Sequence, residues 1–229
     1  MKIVRSGAIF LYTLAIYVGL PLLGWGFDDL NGFITIPPVI GYTASITAFG
    51  LLAAYLIHLP GGIGNRGKGE ADKFVPRQRM VRLLVTGMLF GALVCVPFTD
   101  RRNIGVMADL PPLRWAGLVL ADLGMGLIFW SGWALGRLYS PEVTLQKDHH
   151  LITGGPYRSI RHPRYMGGMI QGIGLSGLFR SWIGLVLTLI FTAIILFRIQ
   201  DEESLMRQEF GPEWETYCKK TWRLLPFVF

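Results

Sequence analysis

Charge is what this sequence has least of. Only 16% of its 229 residues are Asp, Glu, Lys or Arg, where soluble globular domains carry about 25%. Hydrophobic residues make up 52%, and the mean hydropathy is +0.44. This deficit excludes an ordinary water-soluble domain. Cysteine is also scarce: Cys95 falls in an apolar stretch and Cys218 in the polar C-terminal segment, which excludes a disulfide framework. CxxC, HExxH and clustered Cys/His patterns are missing, so no metal is expected. Acidic residues are outnumbered, 15 against 22 Lys and Arg, for a net charge of +7. With no separate soluble domain to hold nucleic acid, that excess reads as an orientation signal and a contact with anionic lipid headgroups. Internal repeats and low-complexity segments are absent too.

What the sequence does have is long apolar runs. A helix needs about 20 apolar residues to cross a bilayer, and residues 8–27, 36–59, 80–98 and 113–136 each read as such a span. Residues 165–199 form an apolar block too long for one comfortable crossing. Gly174, Gly177 and the Arg180-Ser181 pair predict a bend, with a short helix up to Phe179 and a longer one from Trp182; one strongly tilted helix is the alternative. The expected fold is all-α, a polytopic transmembrane bundle of about five spans with the last block a helical hairpin. It forms a single integral membrane domain over 1–229, with N-terminal spans in 1–112 and a catalytic core in 113–229.

Basic residues orient this bundle. Lys2 and Arg5 precede the first span, and Arg66, Lys68, Lys73, Arg77, Arg79 and Arg82 populate the 60–82 loop, whereas the 24–35 loop has Asp28 and Asp29 and no cation. The positive-inside tendency places both termini and the 140–164 segment in the cytoplasm. The first span lacks a small-x-small cleavage site after Leu23, so it reads as a retained anchor. The brevity of the chain suggests a prokaryotic inner membrane.

Polar chemistry concentrates late in the chain. His149 to Tyr165 holds three of the four histidines between two apolar stretches, and ionisable groups beside spans usually build a site. Gly154-Gly155-Pro156 predicts a turn, and His162-Pro163 a helix start whose N–H groups suit an anion. The plainer reading is a loop capping the lipid interface, where Tyr and Arg are common. Farther on, Arg198 and Glu202 share a helical face at i,i+4, beside Glu203. A bland ion pair on a solvated acidic face is the alternative. An amphipathic tail from Glu209 to Phe227 follows and is placed to shield a site. In the early half, His58 reads as a boundary residue. Asp122 lies within a span, with Arg82, Arg114 or Arg137 as possible partners. Gly124 and Gly126 read as packing positions rather than ligand contacts.

Two ordered blocks carry a resemblance. Leu135-Gly136-Arg137, then His149, Leu151-Ile152-Thr153, Gly155-Pro156-Tyr157-Arg158, Arg161-His162-Pro163 and Tyr165 form the first. Arg198, Glu202-Glu203, Leu205, Phe210-Gly211, Tyr217 and Leu225-Pro226 form the second. Together they resemble the signature of the isoprenylcysteine carboxyl methyltransferase family, whose later parts membrane phospholipid methyltransferases share. The resemblance runs from Leu135 to the C-terminus; the first three spans carry no recognisable signature.

That resemblance implies an integral membrane methyltransferase using S-adenosylmethionine in a cytosol-facing pocket. It implies cofactor contacts at His149, Leu151, Ile152, Tyr157, His162, Pro163, Arg164, Tyr165 and Glu202, and an acceptor-side catalytic role for Arg198. Thr144, Leu145 and Gln146 are weaker candidates, because the loop before His149 aligns loosely. Trp214 stands where the family often has tyrosine. The implied partners are membrane lipid and a lipophilic methyl acceptor: a prenylcysteine carboxylate, a lipid amine or a small hydrophobic molecule. Two alternatives stand beside this reading, an NADPH-dependent membrane reductase of the sterol reductase type and a non-catalytic membrane interaction protein.

Overall fold

The computed structural model describes residues 2–56, 73–74, 77–136, 144–145 and 151–226. Expectations resting on His58, Arg137, Gln146 and His149 lie outside the described residues.

Helices dominate. The first span is α1 (Lys2–Leu14), a π-helical turn (Ala15–Gly19) and α2 (Leu20–Trp25) in sequence. Pro21 lacks an N–H to donate, and a widened turn just before it absorbs the missing bond. A short α3 (Leu30–Ile34) is started by Asp29, whose carboxylate accepts from the Gly32 N–H at 3.0 Å. Then come α4 (Pro37–Leu56), α5 (Arg77–Arg102) and α6 (Pro111–Leu135), the first and last of these opening on paired prolines. Proline costs little there because the first N–H groups of a helix have no intrahelical partner. Two two-residue strands, β1 (Lys73–Phe74) and β2 (Thr144–Leu145), pair antiparallel. The weaker candidates Thr144 and Leu145 are thus held in a strand pair.

The C-terminal block is a helical hairpin, α7 (Pro163–Leu178) and α8 (Trp182–Phe210), followed by α9 (Pro212–Cys218). The break falls at Arg180-Ser181. Arg180 adopts φ 50°, a left-handed conformation, and the Ser181 hydroxyl accepts from the Gly184 N–H at 3.0 Å to start α8. Gly174 and Gly177 do not contribute to the bend. Both lie inside α7 and serve packing: a Cβ on Gly174 would sit 2.2 Å from the Ala121 nitrogen. The same holds for Gly117 and Gly124, where a Cβ would meet backbone of α7 at 2.2 and 2.4 Å. Small residues let α6 and α7 approach backbone to backbone, the contact that dispersion rewards in lipid.

Five segments, Ser6–Trp25, Pro37–Leu56, Met80–Arg102, Pro111–Leu135 and Trp182–Phe210, are long and apolar enough to cross a membrane. The chain is a multi-pass integral membrane protein. At about 1.5 Å per residue, α7 is only about 24 Å long. Its far end nevertheless reaches the end of α5, since Trp182 N–H donates to the Gly105 carbonyl at 2.9 Å and Met107 N–H to the Arg180 carbonyl at 2.6 Å.

That far end is locked by a buried carboxylate. Asp100, its side chain 1% exposed, accepts from Arg114 at 2.7 and 3.1 Å and from Arg180 at 2.6 and 2.7 Å. Arg114 also binds Asp109 at 2.8 Å and the Leu178 carbonyl at 2.9 Å. Arg114 is therefore committed and does not pair with Asp122. The Asp122 carboxylate instead accepts from the Ser45 hydroxyl at 2.7 Å, bridging α6 to α4. A hydroxyl supplies the bond without a second buried charge.

The α6–α7 contact yields a test. Gly117→Val is expected to lose about 1–3 kcal/mol or more from overpacking, seen as a lowered midpoint of thermal unfolding in detergent. Gly126→Ala, with its nearest atom at 4.0 Å, is expected to behave as the parent. Equal midpoints for all three proteins would remove the close-packing account.

Candidate active site

The near end of the bundle gathers the polar motifs. Gly154 to Arg158 makes a tight turn: Gly155 takes φ 59°, which glycine tolerates without strain, and residues Gly155–Arg158 form one 3₁₀ turn. The chain then runs extended beside the C-terminal segment. Trp222 N–H donates to the Ser159 carbonyl at 2.9 Å, Arg161 N–H to the Trp222 carbonyl at 2.7 Å, and His162 N–H to the Arg223 carbonyl at 3.1 Å. Tyr217 on α9 donates its hydroxyl to the Tyr157 carbonyl at 2.7 Å. The tail thus folds over the motif loop, as its amphipathic pattern predicts. His162 then caps α7, Pro163 occupies the first helical turn, and Tyr165 follows.

The neighbours Glu202 and Glu203 do different things. Successive helical residues point about 100° apart, and this turns the two carboxylates into separate surroundings. Glu203 is 4% exposed at its side chain and accepts from Arg161 Nε at 3.0 Å and from Arg223 at 3.1 and 2.7 Å. It joins α8, the motif loop and the C-terminal segment. Arg161 reaches further, donating to the Cys218 and Thr221 carbonyls at 3.1 and 2.5 Å. Glu202 faces the interior. Its Oε1 accepts from Arg198 Nε at 3.0 Å and from the Tyr165 hydroxyl, to which Arg198 Nε also donates at 2.7 Å. His162 lies between the carboxylates, Nδ1 at 3.5 Å from Glu202 and Nε2 at 3.3 Å from Glu203, with its ring stacked on Tyr165. The expected i,i+4 pair of Arg198 and Glu202 exists, but it is buried and shared with Tyr165 rather than displayed on a solvated face.

These groups border a cavity of about 410 Å³, within the roughly 300–1,000 Å³ typical of small-molecule sites. Leu151, Ile152, Tyr157, His162, Arg164, Tyr165, Arg198 and Glu202 all line it. Pro163 does not; it is buried at the start of α7 and sets the direction of that helix. The expectation that this helix start offers free N–H groups to an anion is only partly met, because the Tyr165 and Met166 N–H groups donate to the His162 carbonyl at 3.1 and 3.2 Å. From this polar end the cavity continues between α5, α7 and α8, past Val85, Leu89, Leu93, Leu187 and Phe191.

Sequence reasoning missed several contributors. Arg161 and Arg223 hold the roof through Glu203, yet the sequence shows Arg161 only as a motif residue without a role and Arg223 only as part of the tail. Trp214 lines the cavity at 3% exposure, and its indole N–H has no hydrogen-bond partner among the described residues. Its departure from tyrosine was the one available signal. Among the described residues no group of His, Cys, Asp and Glu is arranged to hold a metal ion.

The cavity is bordered by membrane-spanning helices and carries its charged residues at one end. Residues 113–213 match the model of the phospholipid methyltransferase family. A probable protein-S-isoprenylcysteine O-methyltransferase of Oryza sativa subsp. indica is 32% identical over 119 residues, covering 51% of this chain and 62% of that protein. A mouse delta(14)-sterol reductase is 31% identical over 86 residues, covering 34% of this chain and 20% of the reductase. The solved structure of a eukaryotic intramembrane Ras methyltransferase, isoprenylcysteine carboxyl methyltransferase, superposes with a TM-score of 0.49 at 17% identity, over 97% of this chain and 98% of that one. The chain spans about three fifths of the rice relative's length. Over its C-terminal half the chain is thus similar to phospholipid methyltransferases and to isoprenylcysteine O-methyltransferases.

The His162 contacts predict a pH dependence. Burial opposes the charged imidazole, but hydrogen bonds and charge from Glu202 and Glu203 outweigh it and raise the pKa above the ordinary value. The stabilisation from charged His162 is therefore fully present below the unfolded pKa of about 6.5 and is lost as pH rises through the raised folded value. The thermal midpoint of the parent is expected to exceed that of His162→Gln most at low pH, the gap narrowing as pH climbs above neutrality. A gap constant with pH would mean that the imidazole acts in its neutral form.

Proposed function

We propose that this protein transfers a methyl group from S-adenosylmethionine to a lipophilic acceptor at the cytoplasmic face of the membrane. The observation that carries the reading is the single cavity joining the charged Tyr165, Arg198 and Glu202 group to an apolar channel between membrane-spanning helices. The similarity of residues 113–213 to phospholipid methyltransferases suggests the reaction class.

The residues present suit the cofactor. A carboxylate offers about four lone-pair sites, and those of Glu202 are only partly used, leaving Oε2 able to accept from an ammonium or a ribose hydroxyl. Trp214 offers an unmatched N–H at the same end. Leu151 and Ile152 form an apolar wall suited to a flat purine. When bound, S-adenosylmethionine supplies an activated methyl group on a sulfonium, for in-line transfer to a nucleophile. The protein's own part is then proximity and alignment, which are sufficient for large accelerations. Arg198 stands where cavity and channel meet. Its guanidinium orients an acceptor carboxylate or phosphate by charge-assisted hydrogen bonds, while Tyr165 and Glu202 fix its Nε. Arg198 therefore serves as catalytic residue and as anchor of Glu202.

Binding is the direct test. Isothermal titration in detergent is expected to show S-adenosylmethionine or its demethylated product bound at micromolar affinity or better, about −8 kcal/mol. Glu202→Gln is expected to weaken that binding roughly ten- to hundredfold, since a hydrogen bond to a charged group is worth about 1.5–3 kcal/mol. Binding of NADPH but of neither S-adenosylmethionine nor its demethylated product would favour the reductase reading, to which the mouse sterol reductase similarity lends a specific basis.

Both termini are proposed to be cytoplasmic. Support comes from the basic N-terminal residues and from α7 reaching the far end, so that the α7–α8 hairpin returns the chain to the near end. Reporters fused at either terminus should be active only on the cytoplasmic side. A periplasmic C-terminal signal would reverse the site's orientation.

A further inference from the structure

The apolar channel is interrupted by an amide. Gln171 lies on α7 six residues beyond Tyr165, about 9 Å deeper at about 1.5 Å per residue. Its residue is 3% exposed, it lines the cavity wall, and its Nε2 has no hydrogen-bond partner among the described residues. The contact with α6 does not satisfy it: Gly124 packs against the backbone of Gln171, and the residue borders the cavity. Thr188 on α8 lies at the same depth, its Oγ 2.5 Å from where a Cβ on Gly172 would stand. That hydroxyl already donates to the Gly184 carbonyl at 2.9 Å, so it offers a ligand lone pairs only. Thr86 on α5 lines the same cavity.

A leucine or methionine would fill the space of Gln171 without stranding a donor. A buried amide in hydrocarbon carries a substantial desolvation cost unless something bonds to it, and buried donors without partners are rare enough to need a reason. Leu175, Leu187 and Phe191 on the surrounding wall provide no acceptor, and neither threonine hydroxyl bonds the Gln171 Nε2. What completes the amide is a ligand in the channel.

We infer that Gln171 determines acceptor specificity by hydrogen-bonding an oxygen within the apolar part of the acceptor, about 9 Å from the group that is methylated. The acceptor is thus an amphiphile carrying a carbonyl, ether or hydroxyl oxygen partway along its length, and not a plain hydrocarbon or isoprenoid tail. A site built to hydrogen-bond a substrate discriminates against analogues lacking the group, because its own polar atoms are then left unpaired. The inference rests on the methyltransferase reading for the placement of the reacting end beside Tyr165 and Arg198.

The test uses two probes that need no chemistry, hexadecanoic acid and the same acid bearing one mid-chain ketone. Their affinities are measured by titration calorimetry with the full-length protein in detergent. The ratio of keto-acid to plain-acid affinity is expected to fall about three- to tenfold from the parent to Gln171→Leu, the worth of one neutral hydrogen bond. An unchanged ratio would overturn the assignment. A variant-free measurement guards against a poorly folded mutant: in protein labelled at glutamine side-chain nitrogen, the Gln171 amide resonances should shift with the keto acid and not with the plain acid, and equal shifts would likewise overturn it. Failure of the parent to bind S-adenosylmethionine, with the keto preference intact, would count against methyl transfer while leaving the role of Gln171 in ligand selection standing.

Discussion

The near end of this protein depends on one carboxylate that does not line the cavity. Glu203 accepts from Arg161, Arg223 and His162 at once, and those partners come from two stretches, the motif loop and the C-terminal segment, on either side of α8 in the chain. A buried carboxylate is costly unless it is fully paired. The pairing is complete only when the motif loop lies against α8 and the C-terminal segment lies against the motif loop. The short run of parallel backbone bonds between residues 159–162 and 222–223 follows from that docking. So does the Tyr217 to Tyr157 contact that draws α9 over the cavity. Glu202 can face inward because its neighbour anchors everything outside.

Asp100 has the matching position at the opposite end. It draws Arg114 of α6 and Arg180 of the hairpin turn onto the end of α5. Between the two anionic hubs the bundle has little directional chemistry. There α6 and α7 lie backbone against backbone through their glycines, and Asp122 and Ser45 add one bridge to α4. Lipid tails are as apolar as leucine, so burial alone does not draw helices together in a bilayer. Register has to come from close packing and from the two polar ends.

Much of this was legible in the sequence, and the reasons differ by element. The spans were found to within a few residues because apolar length against bilayer thickness is a strong signal. The hairpin was found at the right place, although two of the four residues read as its bend pack α6 instead; a glycine's role depends on what lies opposite, which periodicity does not reveal. The motif residues from Leu151 to Tyr165 and the pair Arg198 and Glu202 were legible as a group because their spacing matched a known pattern. The division of labour between Glu202 and Glu203 was hidden, since it depends on which segments face α8 at each angle. Arg161 and Arg223 were hidden for the same reason. For Asp122 the charges pointed only to possible arginine partners, whereas a serine from a distant helix bonds it. Gln171 passed unremarked inside an apolar block, because a single polar residue on a helix looks like packing until its neighbours are seen not to bond it.

One dimension of α8 carries a further meaning. Its 29 residues from Trp182 to Phe210 contain no proline, and at about 1.5 Å per residue the helix is about 43 Å long, against a hydrocarbon core of about 30 Å. The lipid-facing turns and the turns bearing Arg198 and Glu202 are parts of one stiff rod. A membrane that thins or thickens is met by tilting such a rod, and the tilt moves the polar end relative to the loop it must touch. The helix is thereby a lever that carries any change of tilt imposed by the surrounding lipid to the turns bearing Arg198 and Glu202.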